Sequence, residues 1–173
     1  MKKISTIYGL IMGTILVANM IYMTILCYNN PDFKGNDVVG YAVMLIVFSM
    51  IFVAVKQIRD KQNNGFISFA RAFKTGLLIT LIASTMYVVI WLFDYYLFIP
   101  DFIDRYTLHV LKNAKADGAS AAEISKKAAE MANFKEMYKN PLFVVLITYA
   151  EVFPIGLLIS LISALILKRK PRV

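Results

Sequence analysis

The segment from Pro141 to Leu167 constrains the fold most, because it is almost wholly apolar and carries a single carboxylate, Glu151. At about 1.5 Å per residue, its roughly 27 residues reach about 40 Å as a helix, and the hydrocarbon core of a bilayer is only about 30 Å thick. A basic tail starting at Lys168 follows the segment directly. The pattern predicts a membrane-spanning helix and therefore an integral membrane protein.

Three further apolar segments of similar length precede this one, so the chain is predicted to span the membrane four times. The predicted spans are residues 4–28, 38–58, 75–99 and 141–167. The composition agrees, since 59% of the residues are hydrophobic and 17% are charged, whereas soluble domains have about half and about a quarter. The first apolar run is too long for a signal peptide and lacks a cleavage site. The whole chain, residues 1–173, is predicted to form a single membrane domain.

Basic residues cluster at the two ends of the chain and after the second predicted span. They are Lys2, Lys3, Lys56, Arg59, Lys61, Arg71, Lys74, Lys168, Arg169, Lys170 and Arg172. Because such residues stay on the cytoplasmic side, both termini and the loop of residues 59–74 are predicted to be cytoplasmic. These charges flank apolar segments and do not form a basic face with interleaved aromatic residues, which argues against nucleic-acid binding.

Residues 101–140 form the only long polar segment and are predicted to fold as a helical hairpin outside the membrane. Gly118 is expected to end the first helix, and Ser120 with Glu123 matches a capping box that opens the second. Asn140 and Pro141 supply a cap and a first-turn proline for the last span. The predicted fold is thus an all-α integral membrane protein, a four-transmembrane-helix bundle with an outward-facing helical hairpin between helices three and four.

The loop between the second and third spans carries a local helical signal of its own. Asn63, Asn64 and Gly65 are expected to terminate the second helix. Phe66 and Phe69 then recur with Phe73 at helical spacing, which predicts a short interfacial turn of helix that leads into the third span.

Small residues recur on several of the predicted helices at spacings that allow two helix backbones to approach closely. They are Gly9, Gly13, Gly76, Gly156, Ser160 and Ala164. Such residues serve either packing inside one bundle or association with a second copy or a partner.

Glu151 is the most informative polar residue, because counting along the helix places it about 5 Å from the bilayer centre. Apart from Lys56, two residues before the end of the second span, no lysine or arginine lies within the four apolar segments. The same counting predicts an intramembrane polar layer formed by Glu151 and Asn19, with Asp94 and Thr148 one turn further out. Pro154 is predicted to weaken the helix nearby and to permit a kink.

Two interpretations of this polar layer stay open. The structural interpretation is a set of interhelical hydrogen bonds. The functional interpretation is a proton or cation relay, or a polar ligand pocket that opens outward. Cys27 and His109 are each the only residue of their type, so they cannot form a Cys/His metal site. No catalytic residue, metal site or cofactor is predicted, and no enzyme is expected.

Several short motifs resemble a known family. The run from Lys56 to Arg59, the run from Gly65 to Phe69 and the run from Ala72 to Gly76 carry the resemblance. The pairs Tyr8-Gly9 and Gly40-Tyr41 and the pattern Glu151-x-x-Pro154-x-Gly156 fit as well. The chain resembles a family of bacterial four-helix membrane proteins, domain of unknown function 4199. The resemblance implies a bacterial inner-membrane location and implies no activity or catalytic residue.

Two functions are therefore considered. The first is a non-enzymatic membrane component, with the lipid bilayer around it, that forms a homo-oligomer or binds a membrane protein partner through the small-residue faces. The second is a small transporter or a proton- or cation-coupled protein that works through Glu151 and Asp94.

Overall fold

The computed structural model describes residues 2–30 and 37–169. For Asp37 it describes the backbone only. All the regular secondary-structure elements of the described residues are helices. Its elements are α1 (Lys2–Asn29), α2 (Asp37–Gln62), α3 (Phe69–Phe93), a π-helical turn (Asp94–Phe98), α4 (Phe102–Ala116), α5 (Ala121–Met137) and α6 (Pro141–Leu167).

Four stretches of helix are long and apolar enough to cross a membrane. They are Lys2–Asn29, Val38–Gln62, Phe69–Phe98 and Pro141–Leu167. Many large apolar side chains on these helices remain exposed, Ile46 and Ile166 among them, as expected for surfaces that face lipid. The prediction of an all-α membrane protein with four spans is confirmed.

The four spans pack so that α1 and α6 each lie against both α2 and α3. The main hydrophobic core contains Met12 and Leu16 of α1, Phe48 and Ile51 of α2, and Val152 of α6. A second cluster, rich in aromatic residues, lies toward the end of the bundle that carries α4 and α5. Its buried members are Met20, Trp91, Tyr95, Ile99, Ile103, Tyr138 and Val144.

One end of the bundle gathers the loop between α2 and α3 with the residues that follow α6. Ile67 and Arg169 form an antiparallel β-bridge, and the Tyr8 hydroxyl of α1 donates to Oε1 of Gln57 in α2 at 3.1 Å. The basic residues predicted to be cytoplasmic therefore lie near one end, except that Lys170 and Arg172 fall outside the described residues.

The opposite end carries α4 and α5, which are joined by a short turn. Gly118 in this turn has a φ of 81°, a conformation that glycine adopts without strain. The Ser120 hydroxyl accepts from the Glu123 amide at 3.3 Å, and the Glu123 carboxylate accepts from the Ser120 amide at 2.8 Å. The capping box is confirmed, as is the Asn140 cap of α6, whose Oδ1 accepts from the Leu142 amide at 3.0 Å.

The loop between α2 and α3 is shorter than predicted, because both helices extend into residues 59–74. α2 continues to Gln62, and Asn64 and Gly65 follow with φ values of 49° and 84°. Ser68 then caps α3 by accepting from the Arg71 amide at 3.3 Å. The predicted turn of helix is therefore helical from Phe69 onward, where it forms the first turn of α3, which begins six residues earlier than the predicted span.

The small residues pack inside the chain. A Cβ on Gly9 would lie 2.8 Å from Cβ of Ile82 in α3, and one on Gly13 would lie 2.8 Å from Sδ of Met86. Both glycines of α1 therefore face α3, where a larger side chain would force the two helices apart.

The small residues of α6 also face α3. A Cβ on Gly156 would lie 2.5 Å from Cγ2 of Thr80, and one on Gly76 would lie 2.7 Å from Cβ of Ser160. The Thr80 and Ser160 hydroxyls are 3.2 Å apart, and Ala164 is fully buried. These small residues therefore serve packing within the chain, and sequence spacing alone does not reveal which helices they bring together. Association with a second copy or a partner stays a prediction.

Candidate functional site

A cavity of about 430 Å³ lies between the spans in the half of the bundle that carries α4 and α5. Its walls come from the later parts of α1 and α3 and from the early parts of α2 and α6, which meet at the same end of an up-and-down bundle. Side chains of α4 and α5 complete it. The cavity is thus a partly open cleft to which all four spans and the α4–α5 segment contribute side chains.

Three of the four residues of the predicted polar layer line this cavity, together with Thr24. Asn19 of α1 and both Thr148 and Glu151 of α6 line it. Glu151 is exposed, and Thr148 is buried with its hydroxyl donating to the Val144 carbonyl at 2.7 Å. Thr148 and Glu151 share one face because they are three residues apart on a helix.

Asp94 is the exception, because it does not line the cavity. It begins the π-helical turn after α3, and its Oδ2 is buried without a hydrogen-bond partner. Counting along a helix gives the height of a residue but not which side chains occupy the space beside it. Trp91, Tyr95 and Tyr138 pack in one buried cluster, and the structure does not bring Asp94 to the cavity wall with Glu151.

Aromatic side chains make up much of the cavity wall. Those that line it are Tyr41, Tyr87, Trp91, Phe102, Tyr106, Phe134 and Tyr138. The rings hold one another in place through edge-to-face contacts, with centroids 5.0 Å apart for Trp91 and Phe102 and 5.1 Å apart for Tyr95 and Tyr138. The wall is therefore both aromatic and ordered.

Tyr138 lines the cavity, but it was not among the site residues predicted from the sequence. It follows α5, is only 6% exposed, and its ring reaches into the cavity wall beside Trp91 and Thr148. Burial raises the pKa of Tyr138 to about 12; the Trp91 side chain opposes this shift, and the Glu151 carboxylate adds to it. The hydroxyl is therefore neutral at physiological pH. In the sequence, Ile124, Ala128, Met131 and Tyr138 recur on one helical face, and this spacing was the available signal.

Pro154 lies inside α6, which continues unbroken through it to Leu167. Proline has no amide hydrogen, so the carbonyl of Ala150 lacks the N–H that would otherwise bond to it. That carbonyl belongs to the residue next to Glu151, which makes the backbone beside the cavity more polar than in a regular helix.

A polar link joins the end of α1 to the start of α4 near the cavity. The Tyr28 hydroxyl donates to Oδ1 of Asp101, and Nε of Arg105 donates to Oδ2 at 2.7 Å. The Arg105 guanidinium also lies 4.3 Å from the centroid of the Tyr28 ring. The Tyr28 hydrogen bond, followed by that from Arg105, lowers the pKa of Asp101.

Comparison with known proteins places the chain in one family. The model of the family described as Protein of unknown function (DUF4199) matches residues 7–169. The chain belongs to this family. No curated protein and no solved structure matches it.

The match to DUF4199 covers every residue that lines the cavity. The family description names no activity. The information on what the cavity can bind lies in the side chains that line it. In this DUF4199 chain, the described residues that line the cavity include one carboxylate and no lysine, arginine or histidine. Such an arrangement can accept hydrogen bonds and attract positive charge, and it offers a large apolar contact area.

Proposed function

We propose that the protein is a non-enzymatic membrane protein that binds a small ligand in the cavity beside Glu151. The observation that carries the proposal is that Glu151, Thr148 and Asn19, from two different spans, line one cavity of about 430 Å³. Ligand sites in proteins are typically clefts of about 300–1,000 Å³ with apolar walls and a few polar groups that orient the ligand. The cavity beside Glu151 has this character.

The exposure of Glu151 supports a binding role over a purely structural one. A carboxyl group that only joins helices would be buried between them, where its hydrogen bonds replace lost hydration. Glu151 instead is exposed and lies on the cavity wall. Ionisable residues at this depth in membrane proteins usually face a cavity and mark a path for ligands or ions.

The proposal includes the orientation of the protein in an inner membrane. With the basic end of the bundle in the cytoplasm, the α4–α5 end and the cavity would face outward. The ligand would then enter from the outer side. Binding at this site would suit a receptor-like component. It would also suit the first step of transport, and a transporter was the second function considered from the sequence.

Access from water tests the proposal directly. Met23 lines the cavity, whereas Ile25, two residues along the same helix, is 51% exposed and does not line it. Two residues correspond to about 200° of rotation and about 3 Å of rise, so the pair samples opposite sides of α1 at similar depth. The native Cys27 is first replaced by serine, and Met23→Cys and Ile25→Cys are made in that background.

The full-length variants in proteoliposomes are treated with a membrane-impermeant maleimide. We expect the cysteine at position 23 to react at least about tenfold faster than that at position 25, because a thiol that faces lipid does not ionise to the reactive thiolate. Equal reaction rates, or a faster reaction at position 25, would show that water does not enter the cavity and would overturn the proposal.

A further inference from the structure

We propose that the ligand of this cavity is an organic cation with an apolar body, an inference that rests on the proposed binding function. The class of ligand follows from the charge, the aromatic content and the side-chain chemistry of the cavity wall. Each of these can be read from the residues that line it.

The charge of the wall favours a positively charged ligand. Glu151 is the only ionisable carboxylate among the described lining residues, and none of them is a lysine, arginine or histidine. Where a cavity wall has one sign of charge and low polarity, it concentrates ligands of the opposite sign. An anionic ligand would meet the carboxylate without any lining cation to offset the repulsion.

The aromatic wall favours a cation that is organic. Tyr41 and Tyr106 line the cavity, and as whole residues they are 48% and 37% exposed, so each leaves part of its surface uncovered by the protein. A cation over the face of an aromatic ring is attracted by the ring quadrupole, and quaternary ammonium groups are recognised by several such rings acting together. An uncharged apolar ligand would not require a carboxylate in addition to the seven aromatic side chains.

A metal cation fits the wall less well than an organic one. Hard cations require several oxygen ligands at about 2.0–2.6 Å. Within the described ranges, no group of three or more histidine, cysteine, aspartate or glutamate side chains could hold a metal ion. Met20, Met23 and Met44 also line the cavity, and their flexible thioethers adapt to apolar ligands of varied shape.

Protection of the cysteine at position 23 tests the inference with a defined probe. Benzyltrimethylammonium is the cation, and neopentylbenzene, in which carbon replaces the nitrogen, is its uncharged counterpart. Benzenesulfonate serves as the anion. Each is added at millimolar concentration to the Met23→Cys, Cys27→Ser protein in proteoliposomes before the impermeant maleimide.

We expect benzyltrimethylammonium to slow labelling and the other two compounds to have little effect. Glu151→Gln should weaken the apparent affinity for the cation at least about tenfold. Tyr41→Leu should weaken it about two- to fivefold, and Tyr41→Phe, which keeps the ring face, should not. The labelling rate without added compound and the elution volume in detergent check that each variant is folded.

The outcomes separate the inference from the proposed function. If the cysteine at position 23 reacts but the cation gives no protection, or the uncharged compound or the anion protects equally, the cation inference is overturned and the accessible cavity remains. The inference also fails if protection by the cation is unchanged in Glu151→Gln. If position 23 reacts no faster than position 25, the proposed function itself fails.

Discussion

Ile67 and Arg169 are joined by two backbone hydrogen bonds, from the Ile67 amide to the Arg169 carbonyl at 3.1 Å and from the Arg169 amide to the Ile67 carbonyl at 2.9 Å. The bridge ties the loop before α3 to the chain after α6, although about a hundred residues separate them. It places the end of the last span beside the most basic loop, at the end of the bundle where α1 begins.

The first prediction concerns membrane topology. Because the start of α1 and the end of α6 lie with the basic α2–α3 loop, reporters fused to the two ends of the chain should report the cytoplasm. A reporter inserted near Ser120, in the turn between α4 and α5, should report the opposite side. Paired fusions that are active only in the cytoplasm or only outside it give the measurement, and a cytoplasmic Ser120 reporter would contradict the prediction.

The second prediction concerns the contact between α3 and α6. Gly156→Ala places a Cβ 2.5 Å from Cγ2 of Thr80, so it should lower the free energy of unfolding by about 1–3 kcal/mol through overpacking. Gly40→Ala in α2 is the matched control, because a Cβ there meets nothing within 4 Å. Unfolding in mixed micelles measures both, and equal stability of the two variants would show that α3 and α6 do not pack closely.

The third prediction concerns the hydrogen bonds of Asp101. Since Tyr28 and then Arg105 lower its pKa, Asp101 stabilises the fold above the unfolded-state pKa of about 3.9. This contribution is lost as the pH falls through the lower, folded-state pKa. The link between α1 and α4 should thus be insensitive to pH near neutrality.

Titration of carbon-labelled aspartate by NMR measures this pKa. Tyr28→Phe removes the donor and should raise the pKa of Asp101 toward its ordinary value. Lys126→Ala is a control at an exposed residue of α5 that pairs with Glu130 and not with Asp101. An Asp101 pKa that does not respond to Tyr28→Phe would contradict the role of the Tyr28 hydroxyl.

The fourth prediction concerns Tyr138. Its folded-state pKa is raised to about 12, above the ordinary value of about 10. Its contribution to stability is therefore fully present below about pH 10 and is lost as the pH rises toward 12. The difference in tyrosinate absorbance between the protein and its Tyr138→Phe variant measures this titration.

Glu151→Gln should lower the pKa of Tyr138, because the carboxylate adds to the upward shift. Asp94→Asn is the control, since Asp94 is not among the groups that act on Tyr138. A Tyr138 hydroxyl that titrates near pH 10 in the folded protein would show that it lies in water and not in the cavity wall.

The local features of the fold could be read from the sequence because they depend on residues close together in the chain. The apolar length of Pro141–Leu167, the Ser120 capping box and the Asn140 cap all appear as expected. The Ser68 cap was missed, since Phe66, Phe69 and Phe73 were interpreted as an interfacial turn that leads into the third span from residue 75. That cap makes Phe69 the first residue of α3.

Contacts between distant segments were decided only by the tertiary structure. Helical rise gave the depth of Glu151, Asn19 and Thr148, and these three residues do line one cavity. The same counting placed Asp94 with them, but it could not show that Asp94 does not line the cavity. Nor could it show that Tyr138, from outside the spans, completes the wall.

The sequence by itself determined that the chain is a four-span helical membrane protein, because apolar length and basic flanks act on each segment independently of the others. Only the tertiary structure decided that the small residues of α1 and α6 face α3 and that a cavity opens beside Glu151. The physical reason is that the identity of a helix's neighbour depends on how side chains from distant parts of the chain fit together.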